Sequence, residues 1–218
     1  MKTNFLRIFT LITFIAFTSC GDKAKEADTK QAEDVAGSKS DIVTYKVDTD
    51  KSVIEWKGFK PTGSHNGTIA IKGGKISTSK GIVKGGKFVI EMNGIIVKDI
   101  PVEEEGNAKL KSHLESADFF DAQTYPNSMF VITGFKTNNE SVMMLSGNLT
   151  LKETTKNISF PIKIKSIDDN SIMILSDSFT IDRSKWNIKH GSKSFFDNLG
   201  DQFINDEIEL KITLVATK

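Results

Sequence analysis

Apolar and polar residues alternate along two stretches in the second half of the chain, at 157–165 and 207–214. Successive side chains of a β-strand point to opposite faces, so an apolar residue at every second position predicts a strand with one face buried and one face in water. The apolar positions are Ile158, Phe160, Ile162 and Ile164 in the first stretch and Ile208, Leu210, Ile212 and Leu214 in the second. Both stretches therefore predict half-buried strands.

Weaker forms of this alternation recur at 54–57, 68–72 and 87–92, and β-branched or apolar runs occupy 45–47, 128–133, 141–151 and 172–181. Glycine pairs and clusters of Asn and Asp separate these runs, as is typical of turns. The pattern predicts an all-β, antiparallel domain of about eight or nine strands. Its apolar faces must be hidden by a second sheet or by closure of one sheet, so a sandwich and a barrel both fit.

One segment departs from the two-residue period. Within 103–117, Leu110, His113, Leu114 and Ala117 fall at helical spacing. Three glutamates precede them, and negative charge favours a helix N-terminus. We predict one helix there.

The first 19 residues have the layout of a secretory signal peptide. Lys2 and Arg7 are followed by an apolar run at 8–17 and by two small residues before Cys20. This run is too short for a transmembrane helix, which needs about 20 apolar residues. Residues 17–21 resemble a bacterial lipobox, in which the cysteine is acylated, for example with palmitate. We therefore predict a lipoprotein with Cys20 as its lipidated residue; the alternative is a plain signal peptide with a coincidental cysteine.

The segment after Cys20, up to residue 40, has no aromatic residue and one branched aliphatic residue, Val35. Such a composition buries too little surface to offset the entropy of ordering. We predict a flexible, disordered tether over 20–40 and a folded domain over 41–218. The expected location is the cell envelope, anchored to a membrane and facing the periplasm. The outer membrane is favoured because Gly21 is not the aspartate associated in some bacteria with inner-membrane retention.

The charge balance argues against a nucleic-acid partner. The chain has 29 basic and 28 acidic residues, a net charge of +1, and no basic stripe interleaved with aromatic residues. His65, His113 and His190 do not have the spacing of a metal-ligand motif, so no metal and no cofactor are predicted.

Catalysis finds no support in the sequence. The run 81–88 comes close to a phosphate-binding loop but has Phe88 where Ser or Thr is required, and a turn is the better interpretation. Asp118 and Asp121 fit a helix end and a turn better than an acid/base pair. No combination of acid, base and nucleophile is visible, and we expect a protein that is not an enzyme.

The body of the chain resembles the YceI-like family of exported lipid-binding proteins. The most specific stretch is 113–121, with Tyr125-Pro126 and Phe130 after it; supporting residues are Tyr45, Asp48, 52–56, 147–151, Thr155-Lys156, Asp182-Arg183, Trp186-Asn187 and 206–216. The resemblance implies a lipocalin-like β-barrel, closed by a helix, around a long apolar chain such as a polyisoprenoid quinone or a fatty-acid derivative. Residues 187–201 depart from the commonest family pattern, so the rim of the cavity is expected to differ.

A barrel of about eight strands has an interior just wide enough for its own side chains or for one slim ligand. The cavity-wall residues expected from their inward phase are Trp56, Phe88, Ile90, Leu114, Phe130, Phe160, Ile162, Leu210 and Ile212. His113 and Arg183 are candidates for contact with a polar head group. The alternative for His113 is helix packing, and for Arg183 it is a structural ion pair.

Three functions follow in order of preference. The first is binding, storage or transport of an isoprenoid or acyl lipid in the cell envelope. The second is a structural barrel, filled by its own side chains, that docks a protein partner through its loops. The third, an enzyme acting on a lipid, is the weakest. The sequence leaves open whether the domain forms a homodimer.

Overall fold

The computed structural model describes residues 23–35, 42–80, 82–137 and 142–218. The predicted signal peptide and Cys20 lie outside these residues, as do positions 36–40 of the predicted tether. No helix within the described part of the chain is long and apolar enough to cross a membrane.

Twelve strands and one α-helix make up the described fold. In chain order they are β1 (Lys25–Glu26), β2 (Asp28–Gln31), β3 (Val43–Val47), β4 (Val53–Lys60), β5 (Gly63–Ser79), β6 (Ile82–Val97), α1 (Glu105–Glu115), β7 (Asn127–Thr137), β8 (Met143–Leu151), β9 (Thr154–Asp168), β10 (Ser171–Ser176), β11 (Phe179–Asp182) and β12 (Glu207–Thr217). Two short 3-10 helices, Arg183–Trp186 and Gly200–Gln202, lie between β11 and β12.

Eight of these strands form a closed antiparallel ring. The chain neighbours from β4 to β10 pair in order, β10 pairs with β12, and β12 closes the ring by pairing with β4 from Ile208 opposite Gly58 to Thr213 opposite Val53. The fold is therefore a barrel, which the alternation of residues could not distinguish from a sandwich. The predicted strand number is confirmed for the ring.

Two glycines make room for aromatic side chains in the barrel wall. At Gly67, an added Cβ would lie 1.8 Å from the carbonyl oxygen of Ile96 and 2.9 Å from the Trp56 ring. At Gly147, it would lie 2.2 Å from the Phe130 ring. All three distances are inside van der Waals contact, so these aromatic rings occupy the space that a larger residue would need.

Helix α1 covers one end of the barrel, which we call the cap end. Asn107, in its first turn, is buried and donates from Nδ2 to the carbonyl oxygens of Val97 at 3.2 Å and Ile100 at 2.7 Å, which ties the helix to the end of β6. Leu110 and Leu114 pack on the core. The helix predicted at 103–117 is confirmed with slightly shorter bounds.

The predicted tether is corrected at residues 25–31, which form two short strands. Here β1 pairs in parallel with β11, and β2 pairs in antiparallel with β9. Of these residues only Ala27 is buried. The prediction considered side-chain burial, whereas this segment is held by backbone pairing with β11 and with the part of β9 that β10 does not cover.

Candidate functional site

Two apolar cavities lie in line inside the barrel. The cap cavity, about 70 Å³, lies beneath α1 and is bounded at that end by Leu114 and Phe120. The far cavity, about 80 Å³, extends away from the helix towards Ile174 and Leu214. Apart from Ser176 in the far cavity, every lining residue is apolar. Such a lining suits a hydrocarbon chain and offers almost nothing to a polar group.

Four residues line both cavities and form a neck between them: Ile54, Ile90, Leu149 and Leu210. They come from β4, β6, β8 and β12, so they converge from around the barrel. The two spaces are consequently consecutive parts of one apolar interior, narrowed by these side chains.

Each of the nine residues proposed for the cavity wall lines one or both of the two cavities. Trp56 and Leu114 line the cap cavity, and Phe88, Phe130, Phe160, Ile162 and Ile212 line the far cavity. Ile90 and Leu210 belong to the neck. That these residues contact a ligand stays a prediction.

Other residues that line the cavities were not predicted from the sequence. They include Ile54, Ile69, Ile71, Met92, Ile95, Leu145, Leu149, Leu151, Ile158, Ile174, Phe179, Ile181, Ile208 and Leu214. Many share the two-residue phase of the selected residues and were available from the same alternation. Phe120 follows α1 in a turn, where no period predicts its direction.

Aromatic rings stack through the far cavity. The Phe88, Phe130 and Phe160 rings follow one another at centroid separations of 6.3 and 5.8 Å, and Phe160 stacks on Phe179 at 4.3 Å with an interplanar angle of 5°. These rings bring large apolar area to the wall and have few rotatable bonds, so the lining is stiff on this side.

His113 lies one layer outside the cap cavity. Its ring is half-buried and contacts the His190 ring edge-on at 4.4 Å and the Phe119 ring at 6.1 Å. Burial lowers the pKa of His113, and a positive charge on His190 lowers it further. These ring contacts are those of a residue that packs the helix against its neighbours, and contact with a ligand head group stays a prediction.

Arg183 braces the loop that joins β11 to β12. It is fully buried, and its Nε, Nη1 and Nη2 atoms donate to the carbonyl oxygens of Asn205, Ile188 and Ile204 at 2.9 to 3.2 Å. Its Nη2 atom also lies 3.2 Å from Oδ1 of Asp206.

Burial lowers the pKa of Arg183, and the nearby Asp206 carboxylate acts in the opposite direction. Because Arg183 lines neither cavity and each of its three side-chain nitrogens donates to a backbone carbonyl oxygen, its assignment as a head-group contact is corrected to a structural brace. The alternative interpretation, an ion pair that stabilises a strand end, fits its position.

Of the other polar residues considered from the sequence, His65 lies beside a carboxylate, and Asp118 and Asp121 lie where the chain turns after α1. His65 Nδ1 lies 2.7 Å from Oδ2 of Asp99. Asp118 and Asp121 follow α1 in a turn, where Asp121 has a φ of 49°. Across the described ranges, no three His, Cys, Asp or Glu side chains are grouped as metal ligands.

Comparison with known proteins matches residues 45–216 to the model of the YceI-like domain. Among curated relatives, a UPF0312 protein of Pseudomonas putida strain W619 is 39% identical over 54 residues, which are 25% of this chain and 28% of the relative. A UPF0312 protein of strain GB-1 is 37% identical over the same length. The chain thus aligns with little more than a quarter of each relative's length.

Two solved structures share the fold. BcnA of Burkholderia cenocepacia has a TM-score of 0.56 at 20% identity, covering 78% of this chain and 99% of its own. A polyisoprenoid binding domain from Saccharophagus degradans, described as implicated in plant cell wall breakdown, has a TM-score of 0.60 at 15% identity, covering 79% and 97%.

Proposed function

Because this chain belongs to the YceI-like domain family, we propose that its barrel binds one slender apolar chain, a polyisoprenoid or acyl lipid, and stores or carries it in the cell envelope. The observation that supports this proposal is the pair of in-line cavities with an apolar lining. The free energy gained per buried ligand methylene is about 0.8 kcal/mol, so a long chain gains affinity from length alone.

Two observations support this ligand class: the shape of the barrel interior and the likeness to one solved structure. Cavities that follow one another along a barrel axis favour a linear molecule over a compact one. The Saccharophagus degradans domain with the same fold is a polyisoprenoid binding domain. A polyisoprenoid quinone or a fatty-acid derivative therefore fits this interior, with the polar end outside the apolar lining.

The neck must move for a long ligand to bind. Each cavity, at about 80 and 70 Å³, is smaller than the apolar cavity of ~150 Å³ that binds benzene in another protein. A chain that passes from one cavity into the other must displace the side chains of Leu149, Leu210 and their neighbours. Leu and Ile change rotamer without breaking hydrogen bonds, so such a movement requires no polar rearrangement.

The proposed setting is the cell envelope. The predicted signal peptide and the lipobox-like residues 17–21 support a lipoprotein whose acyl chain inserts into a membrane. One acyl chain binds a membrane reversibly and two signals bind it stably, so the anchor's acylation determines how permanently the barrel stays at the surface.

A second candidate is a self-filled barrel that docks a protein partner. The small cavities favour it, and so do Phe195 and Phe196, which are 39% and 47% exposed in the loop before β12. Large exposed aromatic residues often belong to interaction surfaces.

The deciding experiment is mass spectrometry of an organic extract from the chain starting at residue 21, exported behind a cleavable signal and purified without detergent. The chain must include residues 25–31, because they belong to the barrel. We expect a stoichiometric isoprenoid or acyl lipid. Leu210→Trp, which fills the neck, should abolish the lipid, while Lys211→Trp, at the neighbouring exposed position, should retain it. An empty extract from all three proteins, with no thermal stabilisation by added quinones or fatty acids, would contradict lipid binding and favour the self-filled barrel.

A further inference from the structure

One part of the barrel wall, between β9 and β11, is not closed by direct pairing of these two strands. β9 and β10 pair between Ile162 and Asp168. Beyond Ile162 towards the cap end, β9 and β11 have no mutual pairing in the described part of the chain; β2 pairs with β9 and β1 pairs with β11. Between them, the Ala27 N–H donates to the carbonyl oxygen of Thr180 at 2.7 Å. Residues 25–31, which we call the seam strand, therefore close the wall between β9 and β11.

The seam strand lies beside both cavities. Its Lys25 is opposite Phe179 and its Thr29 is opposite Ile158, and both of these apolar residues line the far cavity. Ile181, on β11, lines the cap cavity. Detaching the seam strand would thus open a lateral slot whose inner edges are hydrocarbon side chains of the cavity wall.

The seam strand is attached more weakly than any strand of the ring. It has two residue pairs with β11 and four with β9. Ala27 is its one buried side chain, and none of its residues is a larger aliphatic or an aromatic. Its ion pair between Glu26 and Lys185, at 2.7 Å, is partly exposed and so contributes little. Segments with few buried apolar contacts open first in a folded protein.

We propose that the seam strand is a gate over a lateral portal, through which a linear acyl or isoprenoid chain passes into the barrel between β9 and β11. This inference rests on the proposed function, because a portal is needed only if the barrel takes up a ligand. The cap end is covered by α1 and the loop before β12, whereas the portal requires unpairing of a short strand and separation of the stacked Phe160 and Phe179 rings behind it.

The position of the seam strand in the sequence adds a second argument. Lys25 follows Cys20 by five positions, and an extended chain spans at most about 18 Å over five positions. A lipid anchor on Cys20 therefore holds the start of the seam strand close to the bilayer. The portal would then receive a lipid directly from the membrane rather than from water.

A disulfide across the seam tests the gate. Asp28 lies opposite Ser159 in the antiparallel pairing of β2 with β9. Opposed Cβ atoms in such a pair lie about 4.5–5.5 Å apart, near the separation that a disulfide needs. The variant Asp28→Cys/Ser159→Cys is made in the full chain and purified in the form that the cell exports. Its cross-link is verified by mass spectrometry of the linked peptides.

The ligand probe is undecanoic acid with a dansyl label, and loading is followed by energy transfer from the tryptophans. We expect the oxidised variant to load and release the probe at least tenfold more slowly than the same protein after dithiothreitol treatment, with the equilibrium Kd unchanged within twofold. The matched control is Glu55→Cys/Lys211→Cys, which links an opposed, exposed pair of the permanent β4–β12 contact. Oxidation of this control should leave the rates unchanged.

A loosened gate provides the opposite test. Ala27→Asp places a charge at the buried position of the seam strand and should load the probe faster than the unchanged chain. Equal loading rates for the oxidised and reduced seam variant would overturn the portal while leaving ligand binding intact. If neither the reduced variant nor the unchanged chain binds the probe, the proposed function itself fails, and the portal fails with it.

Discussion

Shortening one neck residue should join the two cavities. Leu149 on β8 is 6% exposed and lines both cavities, whereas Leu145, on the same strand and in the same phase, is 4% exposed and lines only the far cavity. Leu149→Ala and Leu145→Ala remove the same atoms from similar surroundings. Each should therefore lower the free energy of unfolding by about 3 kcal/mol, within the usual range of ~2–5 kcal/mol.

The two variants should differ in the length of chain that they bind. The space vacated at Leu149 accommodates about two ligand methylenes in the passage between the cavities, worth ~1.6 kcal/mol at ~0.8 kcal/mol each. This corresponds to a gain of about 15-fold in affinity for a long chain. Leu145→Ala enlarges the far cavity without widening the neck. The preference of this variant for long over short chains should therefore stay near that of the unchanged protein.

The assay is urea unfolding for stability and titration with saturated fatty acids of eight and sixteen carbons for affinity. The affinity ratio between the long and the short acid should rise in Leu149→Ala alone. Equal ratios in the two variants would refute the idea that the neck limits ligand length, even if both variants lose stability as expected.

Three further predictions concern packing, the brace and pH. Gly147→Ala should lower the free energy of unfolding by about 1–3 kcal/mol, because its methyl group displaces the Phe130 ring, as measured by urea unfolding. Arg183→Lys should lower it by about 3–5 kcal/mol, because an ammonium group cannot replace a buried guanidinium that donates to three carbonyl oxygens; hydrogen exchange should then be fastest in the loop before β12. The free energy of unfolding should fall as the pH drops below about 6.5, the ordinary pKa of a histidine side chain. The pKa of His113 is lowered in the folded protein, so the unfolded chain binds this proton at a higher pH than the folded chain does.

Each of these predictions has its own control. Gly134→Ala should be nearly neutral, since an added Cβ there meets only the Ser146 Cβ at 3.9 Å; similar losses at Gly134 and Gly147 would contradict the role of ring displacement. Unchanged hydrogen exchange before β12 in the Arg183 variant would contradict the brace. His113→Gln should have a weaker dependence of stability on pH between 7 and the lowered pKa, and an undiminished dependence would assign the effect to another group.

The side-chain pattern of the sequence determined which residues face inward. Alternation in β4, β6, β9 and β12 predicted the phase of Trp56, Phe88, Phe160 and Leu210, and all four line a cavity. This succeeds because the direction of successive side chains is a local property of an extended backbone. The helix was predicted for the same reason, from the spacing of Leu110 and Leu114.

Only the tertiary structure decided that the sheet closes into a barrel and that residues 25–31 attach to it. Pairing of β12 with β4 makes a barrel, and it joins residues 150 to 160 positions apart. Arg183 has its charged partner at Asp206, beyond a loop that no local pattern predicts. The segment at 25–31 has a composition typical of a tether, yet it is a strand because β9 and β11 leave backbone hydrogen-bonding groups free at their edges. Hydrogen bonds between backbones carry no side-chain signature, so the sequence alone does not reveal which distant edges will pair.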